Sequence, residues 1–258
     1  MRSALEILHE RAYKTDAFVL RGRNLGEADK IFTLFTRLRG KIDAVAKGVR
    51  RIKSQNAGRL EFLTEAALTM HAGRSLDVIT GANILHSEWE GIVQPSAFAA
   101  ANVVAELIDA FCEPDLAQDE IYELLRGVVH ALAHAERPSE LLPRFELRLL
   151  DVLGVLPSLD ACVRCGESLA DHREVWLDPS AGGLVCGACH SGGDAGKLEG
   201  DEIENIRALA APRAKRGTIA ATATAMPAVA RAVDALLVYH LGKRAKASAF
   251  LEEMAHGR

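Results

Sequence analysis

One stretch, residues 162–189, reads CVRCGESLADHREVWLDPSAGGLVCGAC and contains two Cys-x-x-Cys pairs. Twenty residues separate the two pairs, Gly166 to Val185. Each short pair turns two sulfur atoms toward one point, and two such pairs complete a tetrahedron of thiolates around Zn²⁺. Both the number of ligands and their spacing match a zinc site. The sequence therefore predicts one structural zinc ion, bound by Cys162, Cys165, Cys186 and Cys189.

The same cysteines have alternative interpretations. Two disulfides would need an oxidising compartment, which nothing in the sequence indicates, and four reduced thiols are the other alternative. His172 and His190 are nearby ligands if one cysteine is displaced. Four thiolates fill the coordination shell, so the predicted zinc has no open position for a reacting water and is not catalytic. Cys112 has no partner at metal-binding spacing, and we expect a small core side chain there.

Composition describes a globular protein with an uneven charge distribution. The chain has 258 residues, of which 49% are hydrophobic and 26% charged, which is enough for a sizeable core. No apolar run of signal-peptide or membrane-spanning length occurs, so we expect a soluble, cytoplasmic protein. Residues 1–80 contain 15 Lys+Arg and 9 Asp+Glu, a net charge of +6, whereas the remainder is net −10. This asymmetry predicts nucleic-acid contact at the basic end.

The first third of the chain is predicted to be a small β-barrel. Five short runs are rich in β-branched and aromatic residues, with turn residues between them and no helical pattern. Such spacing is typical of an OB-fold. The runs are residues 15–21, 31–36, 42–46, 66–71 and 76–80.

After Trp89 the apolar residues recur at helical spacing. Helices are predicted at residues 96–111, with Ser96 as N-cap, and at 119–135, 144–153, 201–209 and 227–254, the last interrupted near Gly242. Two short strands, 175–178 and 183–185, are expected inside the cysteine module. The fold class is α+β, with an OB-fold at 1–86, helices at 87–157, a four-cysteine zinc finger at 158–195 and further helices at 196–258.

A basic segment, residues 37–59, contains eight cations and one acid, Asp43. Guanidinium and ammonium groups in a glycine-containing loop suit phosphate oxygens along a strand. The alternative is a solvated, mobile loop. The predicted DNA contacts are Arg37, Arg39, Lys41, Lys47, Arg50, Arg51, Lys53 and Arg59.

Two further sets of residues are candidates for DNA contact. Phe32, Phe35 and Phe62 are candidate platforms for base stacking, although aromatic residues in strands more often fill the core. Lys243, Arg244 and Lys246 form a second basic cluster near the C-terminus, where cations also simply complement a helix dipole.

No catalytic motif is evident. The chain has no phosphate-binding P-loop, no Gly-x-Ser-x-Gly and no His-Glu-x-x-His. The acids Asp16, Glu27, Asp29 and Asp43 have no spacing that supports a two-metal nuclease. We therefore predict a protein that is not an enzyme. An RNA-binding zinc-ribbon protein and a metal-dependent nuclease remain as alternative hypotheses.

The combination of these features resembles the RecO family of bacterial DNA repair proteins. The resemblance covers nearly the whole chain, and its most specific segments are Gly26-Glu27-Ala28-Asp29-Lys30-Ile31, residues 40–51, both cysteine pairs and Tyr239-His240-Leu241-Gly242-Lys243-Arg244. It implies an N-terminal OB-fold, a helical domain and an inserted zinc finger. It also implies binding to single- and double-stranded DNA, annealing of complementary strands and association with the nucleoid.

The resemblance further implies protein partners. Family members act with RecR, and often RecF, to load RecA onto DNA coated by single-strand-binding protein. Some bind the acidic C-terminal tail of that protein through the helical domain. Because an acidic tail needs cations, the candidates here are Arg126, Arg137, Arg144 and Arg148.

Overall fold

The computed structural model describes residues 12–52, 54–192, 196–211, 225–248 and 251. These residues belong to two compact units, Met1–Glu123 and Leu124–Arg258. Two predictions fall outside the described residues: the DNA contact at Lys53 and, in the predicted C-terminal helix, residues 249–250 and 252–254. The two-unit division is coarser than the four segments proposed from sequence, whose boundaries stay a proposal.

The first unit contains a closed barrel of five strands, and each predicted run is confirmed as a strand. Neighbours around the barrel follow the order β1-β2-β3-β5-β4, and β4 pairs back to β1. All pairs are antiparallel except β3 with β5, which run parallel at Ala44–Asp77 and Val45–Val78. This is the OB-fold expected from sequence. The strands are β1 (Ala12–Leu25), β2 (Asp29–Thr36), β3 (Gly40–Ala46), β4 (Glu65–His71) and β5 (Asp77–His86).

Strand β1 closes the barrel because it is long enough to pair on both sides. Its first half pairs with β4, from Ala12 to Phe18, and its second half pairs with β2, from Ala17 to Leu25. The register shifts between Val19 and Arg21. A bulge at such a shift bends and twists a strand, which allows one strand to take part in both edges of the closure.

Alternating residues of the strands fill the barrel interior. Phe32 and Leu34 of β2 lie there with Leu68 and Met70 of β4, all at most 3% exposed. Burying this apolar surface is the main source of the barrel's stability. Because the side-chain period of a strand is two, the residues between them face outward.

Within the described residues six α-helices follow the barrel, and the five predicted helices are among them, the last over Pro227–Leu241 only. α2 does not use Ser96 as its N-cap: Pro95 occupies the first turn and Gln94 is the flanking residue. Proline is favoured at that position because its fixed φ suits a helix and its missing N–H would have no partner. The segment predicted as helical at 227–254 forms a helix over Pro227–Leu241, is interrupted at Gly242 as expected, and is helical again at residues 246–248. The helices are α1 (Trp89–Ile92), α2 (Pro95–Phe111), α3 (Asp119–His134), α4 (Leu142–Val152), α5 (Asp201–Ala210) and α6 (Pro227–Leu241).

A small sheet lies between α4 and α5 in the second unit. Its strands are β6 (Glu174–Asp178), β7 (Gly183–Val185) and β8 (Lys197–Glu199), in the order β7-β6-β8. The first two strands were expected from sequence. The third has three residues in a glycine-rich stretch and gives no periodic signal, so only its pairing with β6 identifies it.

Candidate nucleic-acid interface and metal centre

The loop after β3 presents cations to solvent. Lys47, Arg50 and Arg51 are exposed, whereas Val49 between them is 4% exposed and packs in the barrel core. Within the described residues, no acidic side chain forms an ion pair with any of the three cations. We call residues 47–51 the basic loop. It combines an apolar attachment point with three side chains that are available to phosphate oxygens.

The basic loop is held against the turn between β1 and β2. The Arg50 backbone N–H donates to the Ala28 carbonyl at 2.9 Å, and its guanidinium donates to the Gly26 carbonyl at 3.0 Å. The Gly48 N–H donates to the Asp29 carboxylate at 2.7 Å. Gly48 has a φ of +66°, a conformation that glycine adopts at little cost. These bonds give the loop a defined conformation.

Arg37 is predicted as a DNA contact, but the structure shows it in contact with acids of the first unit. Its guanidinium lies 2.5 Å from Glu123 Oε1 and 3.8 Å from Asp119 Oδ1. It also lies over the ring of Tyr122, 4.2 Å from the centroid. The side chain is 30% exposed. Its positive charge is therefore largely balanced within the protein.

Arg39 is less exposed than Arg37 and is hydrogen-bonded to three side chains. It donates to Asp77 Oδ2 at 2.6 Å, to Asp115 Oδ1 at 2.9 Å and to the Tyr13 hydroxyl at 3.1 Å. Tyr13 also donates a hydrogen bond to Asp77. Burial raises the pKa of Tyr13 well above its ordinary value, and the bond to Asp77 adds to the shift. With 18% of its side chain exposed, Arg39 links β1, β5 and the segment before α3.

Lys41 and Arg59 also have partners in the first unit. Lys41 Nζ donates to the Asp109 carbonyl and lies 3.5 Å from the carboxylate of the same residue. Arg59 donates to the Ala82 carbonyl at 2.8 Å. The DNA-binding role assigned to Arg37, Arg39, Lys41 and Arg59 stays a prediction, and the structure gives each of them an internal role as well.

The base-stacking prediction is wrong for Phe32 and Phe35. Phe32 is 3% exposed inside the barrel, and Phe35 is fully buried with its ring 6.3 Å from Tyr122 of α3. Both faces of β2 are covered at these positions, so neither ring can meet a base. Phe62 is half-buried and packs edge-on against Phe98, with ring centroids 5.5 Å apart.

Sequence reasoning missed two arginines close to the basic loop. Arg21 and Arg23 lie on the half of β1 that pairs with β2, and their side chains are 62% and 60% exposed. The pairing of Lys30 with both Asn24 and Ala46 places this part of the barrel beside the loop. Two arginines at i and i+2 of a strand share a face, and this alternation is the signal that could have found them.

The C-terminal basic cluster lies just after α6. Lys243 and Lys246 are exposed, and Arg244 forms an ion pair with Asp234 at 3.1 Å. A DNA contact at these three residues stays a prediction.

The arginines predicted to bind an acidic tail are not equivalent. Arg144 is 5% exposed, so the prediction is wrong for this residue, which cannot meet a peptide at the surface. Arg137 is exposed and pairs with Glu140 at 3.0 Å, and Arg148 pairs with the following Asp151. Arg126 is half-buried. For the three residues other than Arg144 the role stays a prediction.

The four paired cysteines meet at one point, as predicted. Their sulfur atoms all lie within 4.8 Å of one another, and Cys165 Sγ is 3.8 Å from Cys186 Sγ. Four sulfurs around an ion at the usual zinc–sulfur distance are separated by about 3.8 Å. A disulfide would need about 2.05 Å. Within the described residues this cluster includes neither His172 nor His190. The arrangement fits a single tetrahedral metal ion.

Neighbouring groups give the four thiols unequal proton affinities. Burial alone would raise the pKa of Cys162, but backbone N–H groups of Cys186, Cys165 and Arg164 outweigh it and lower the pKa to about 6. The pKa of Cys189 is raised to about 12, first by its hydrogen bond to Cys186. A cation among the sulfurs favours the thiolate form of all four.

Backbone pairing joins the first cysteine pair to the strand that leads into the second. Val163 donates to the Leu184 carbonyl at 3.0 Å, and Leu184 donates to the Ser158 carbonyl at 2.9 Å. A β-carbon on Gly183 would lie 2.5 Å from Ser158 O, so the close approach needs glycine there. The two metal-binding turns are therefore positioned by β7.

Asp178 fixes the turn between β6 and β7. It accepts hydrogen bonds from Ser180 and Ala181 and pairs with Arg164 of the first cysteine pair at 2.8 Å. The bond from the Ser180 hydroxyl is the main reason that the pKa of Asp178 falls to about 2. A carboxylate thus helps to fix the distance between the turn and the cysteines.

The module also contains an aromatic stack next to the sulfur cluster. Trp176 stacks on His190 with ring centroids 4.5 Å apart and planes within 12°. Lys197 lies 5.7 Å from the same indole centroid. Because His190 follows Cys189 directly, the environment of Trp176 depends on how the second cysteine pair is held.

Three further predictions concern a nuclease metal site, the unpaired cysteine and membrane-spanning segments. Among the described residues, Asp16, Glu27, Asp29 and Asp43 belong to no group of close metal-ligating atoms. Cys112 is 2% exposed, and burial raises its pKa to about 12, which confirms a core side chain. Within the same residues, no helix has the length and the apolar character that crossing a bilayer requires.

Comparisons with known proteins match two consecutive parts of this chain to family models. Residues 11–88 match the family model described as "Recombination protein O N terminal", and residues 93–249 match "Recombination protein O C terminal". Three relatives share the name "DNA repair protein RecO". Identity is 36% with the Nocardioides sp. protein (93% of this chain, 99% of the relative), 43% with that of Bifidobacterium adolescentis (69% and 74%) and 32% with that of Symbiobacterium thermophilum (95% and 99%).

Proposed function

We infer that this chain, which belongs to the RecO family of DNA repair and recombination proteins, binds single- and double-stranded DNA and anneals complementary strands without breaking covalent bonds. The observation that supports this best is the basic loop, which holds Lys47, Arg50 and Arg51 exposed at the end of an OB-fold barrel. Phosphate contacts of this kind position a strand without reading its sequence, as an annealing protein requires.

Annealing follows from electrostatics. Two complementary strands repel each other through their phosphates, and a protein that neutralises some of those charges reduces the repulsion. Binding releases condensed counterions, so the affinity falls with salt in proportion to the number of phosphates neutralised. Base pairing supplies the remaining free energy, and no side chain has to act as nucleophile or base.

The test is a variant with Lys47, Arg50 and Arg51 all changed to alanine. We expect its affinity for a labelled oligonucleotide to fall by about tenfold or more at roughly 50 mM salt, and its salt slope to fall by about 2 to 3. Annealing of complementary oligonucleotides should slow in parallel. The matched control changes Arg74, Arg137 and Arg173, which are exposed and lie outside the loop, and removes the same total charge.

The control variant should bind DNA nearly as the wild type does. Wild-type affinity and salt slope in the loop variant would contradict the proposed interface. An RNA of the same sequence distinguishes the alternative function, because only RNA offers the 2′-hydroxyl. A clear preference for RNA would favour the RNA-binding hypothesis.

The four cysteines are proposed to bind one structural Zn²⁺. When bound, the ion balances the charge of the thiolates and connects the two metal-binding turns. Metal analysis should find about one zinc per chain. After chelation we expect four thiols to react together, with a change in Trp176 fluorescence in a Trp89→Phe background that leaves one tryptophan. Independent reactivity of the thiols would contradict a shared ion.

The proposed partners are RecR, RecF and the acidic tail of single-strand-binding protein, and the proposed setting is the cytoplasm at the nucleoid. Family membership supports these assignments. The test is RecA filament assembly on DNA coated with single-strand-binding protein. Acceleration by this chain together with RecR is expected, and equal rates with and without the chain would contradict a mediator role.

A further inference from the structure

We propose that Asp29 is a positioning residue that holds the basic loop in its DNA-binding conformation before DNA arrives. The inference rests on the proposed function and deepens it. It predicts that an acidic side chain strengthens binding to a polyanion, which is the opposite of what its charge alone would do.

The contact at the centre of this inference is short and local. Asp29 is the first residue of β2, it is half-buried, and its Oδ1 accepts the Gly48 N–H at 2.7 Å. Gly48 in turn accepts from the Arg51 N–H at 3.1 Å, so the two bonds connect β2 to the far end of the turn. A backbone N–H that donates to a carboxylate makes one of the stronger hydrogen bonds in proteins.

The hydrogen bond from Gly48 to Asp29 lies between two residues that anchor the loop in the barrel core. Ala46 and Val49 are buried in the barrel core, 1% and 4% exposed, on either side of Lys47 and Gly48. The turn between them consists of Lys47 and Gly48, and the left-handed conformation of Gly48 has many alternatives when nothing selects it. Asp29 selects one of them, with Lys47, Arg50 and Arg51 directed to solvent.

Pre-organisation is how this bond would affect DNA affinity. A loop that is ordered before binding loses less conformational entropy when phosphates bind to it. Arg50 keeps its bonds to Ala28 and Gly26 without the Asp29 acceptor, but Lys47 and Arg51 would sample several arrangements, and the cost of ordering them would appear as weaker binding.

Glu27 provides a matched control. It is exposed in the turn that precedes β2, two residues from Asp29, and its removal changes the charge by the same amount. If only charge matters, Asp29→Ala and Glu27→Ala should both strengthen DNA binding. If Asp29 positions the loop, Asp29→Ala should weaken DNA binding whereas Glu27→Ala should not.

The experiment measures the affinity of the full chain for a fluorescein-labelled oligothymidylate by anisotropy across salt. We expect Asp29→Ala to weaken binding about fivefold, because it removes a charge-assisted hydrogen bond. Glu27→Ala should bind equally or up to about threefold more tightly. Asp29→Asn should bind at least as tightly as the wild type, because its side-chain oxygen still accepts from Gly48 while the negative charge is gone.

If Asp29→Ala binds DNA as tightly as the wild type or more tightly, this inference is overturned, whereas the proposed interface is not. A second measurement does not depend on any variant: the Gly48 amide should exchange slowly with solvent in the free wild-type protein. Fast exchange there would overturn the inference even if Asp29→Ala did not fold. Wild-type affinity in the triple loop variant would instead overturn the proposed interface, and this inference with it.

Discussion

Two halves of one basic segment have different environments in the structure. Arg37, Arg39 and Lys41 form ion pairs inside the first unit, with side chains 18% to 30% exposed. Lys47 and Arg51, a few residues later, are exposed and have no acidic partner among the described residues. Residues 37–41 and residues 47–51 each contain two arginines and one lysine, so the types of cation are the same in both. The difference shows that the availability of a cation depends on acids that are distant in sequence.

One of these acids, Asp77, is the first residue of β5, and the others come from the end of α2, the start of α3 and the segment between them. Asp109, Asp115, Asp119 and Glu123 lie close to the turn between β2 and β3, up to 86 residues away along the chain. The basic loop instead meets the turn between β1 and β2, where Arg50 binds a backbone carbonyl. A carbonyl orients an arginine without neutralising its charge, so the loop keeps its potential for phosphate.

The largest expected effect tests the structural half. Arg39→Met should lower the free energy of unfolding by about 3 to 5 kcal/mol, because it leaves the buried carboxylate of Asp77 without its cation. Lys47→Met, an exposed control, should change it by about 0.5 kcal/mol or less. Denaturant unfolding of both variants checks the prediction. Equal stability of the two variants would show that the two halves are not distinct.

Glu146, a carboxyl group in the second unit, also has an environment that is set by the fold, and this environment makes stability depend on pH. Burial, and then the nearby Asp234, raises the pKa of Glu146 to about 8, although Arg231 and Arg244 line the same cavity. The folded protein binds a proton that the unfolded chain releases above pH of about 4.3, so stability falls as pH rises from there toward 8.

Glu146→Gln removes this dependence. Its stability relative to the wild type should increase by up to about 1.4 kcal/mol per pH unit between pH of about 5 and 7. Denaturant unfolding of both proteins at several pH values measures the difference, and any shared effect of thiol protonation cancels. A constant difference across this range would mean that Glu146 does not stay neutral in the fold.

The salt dependence of DNA affinity should also distinguish the two halves of the basic segment, with a smaller effect. Lys47→Met should reduce the slope of log affinity against log salt by about 0.7 for single-stranded DNA, the value for one phosphate contact. Lys41→Met should leave the slope unchanged, because Asp109 already balances that charge. Equal slopes for the two variants would place both cations in the DNA interface or neither.

The smallest expected effect concerns Arg23, which is exposed but lies 3.3 Å from Asp43. Asp43→Asn should increase DNA affinity about twofold, because it frees an exposed cation whose surface ion pair is weak. The anisotropy assay at low salt measures it. Reduced affinity would show that Asp43 orients Arg23 for DNA.

The sequence by itself determined the features that depend on neighbours along the chain. Strand alternation located all five barrel strands, helical periodicity located the main helices, and the spacing of Cys162, Cys165, Cys186 and Cys189 located the metal centre. These signals are local, because side-chain period and ligand spacing are set within a few residues.

Only the tertiary structure decided how those elements use their side chains. It buried Phe35 against Tyr122, paired Arg39 with Asp77 and left Lys47 exposed. No local pattern contains this information, since burial and ion pairing depend on which distant segments the fold brings together. A basic run therefore gives the number of cations from sequence, and the fold decides which of them can bind DNA.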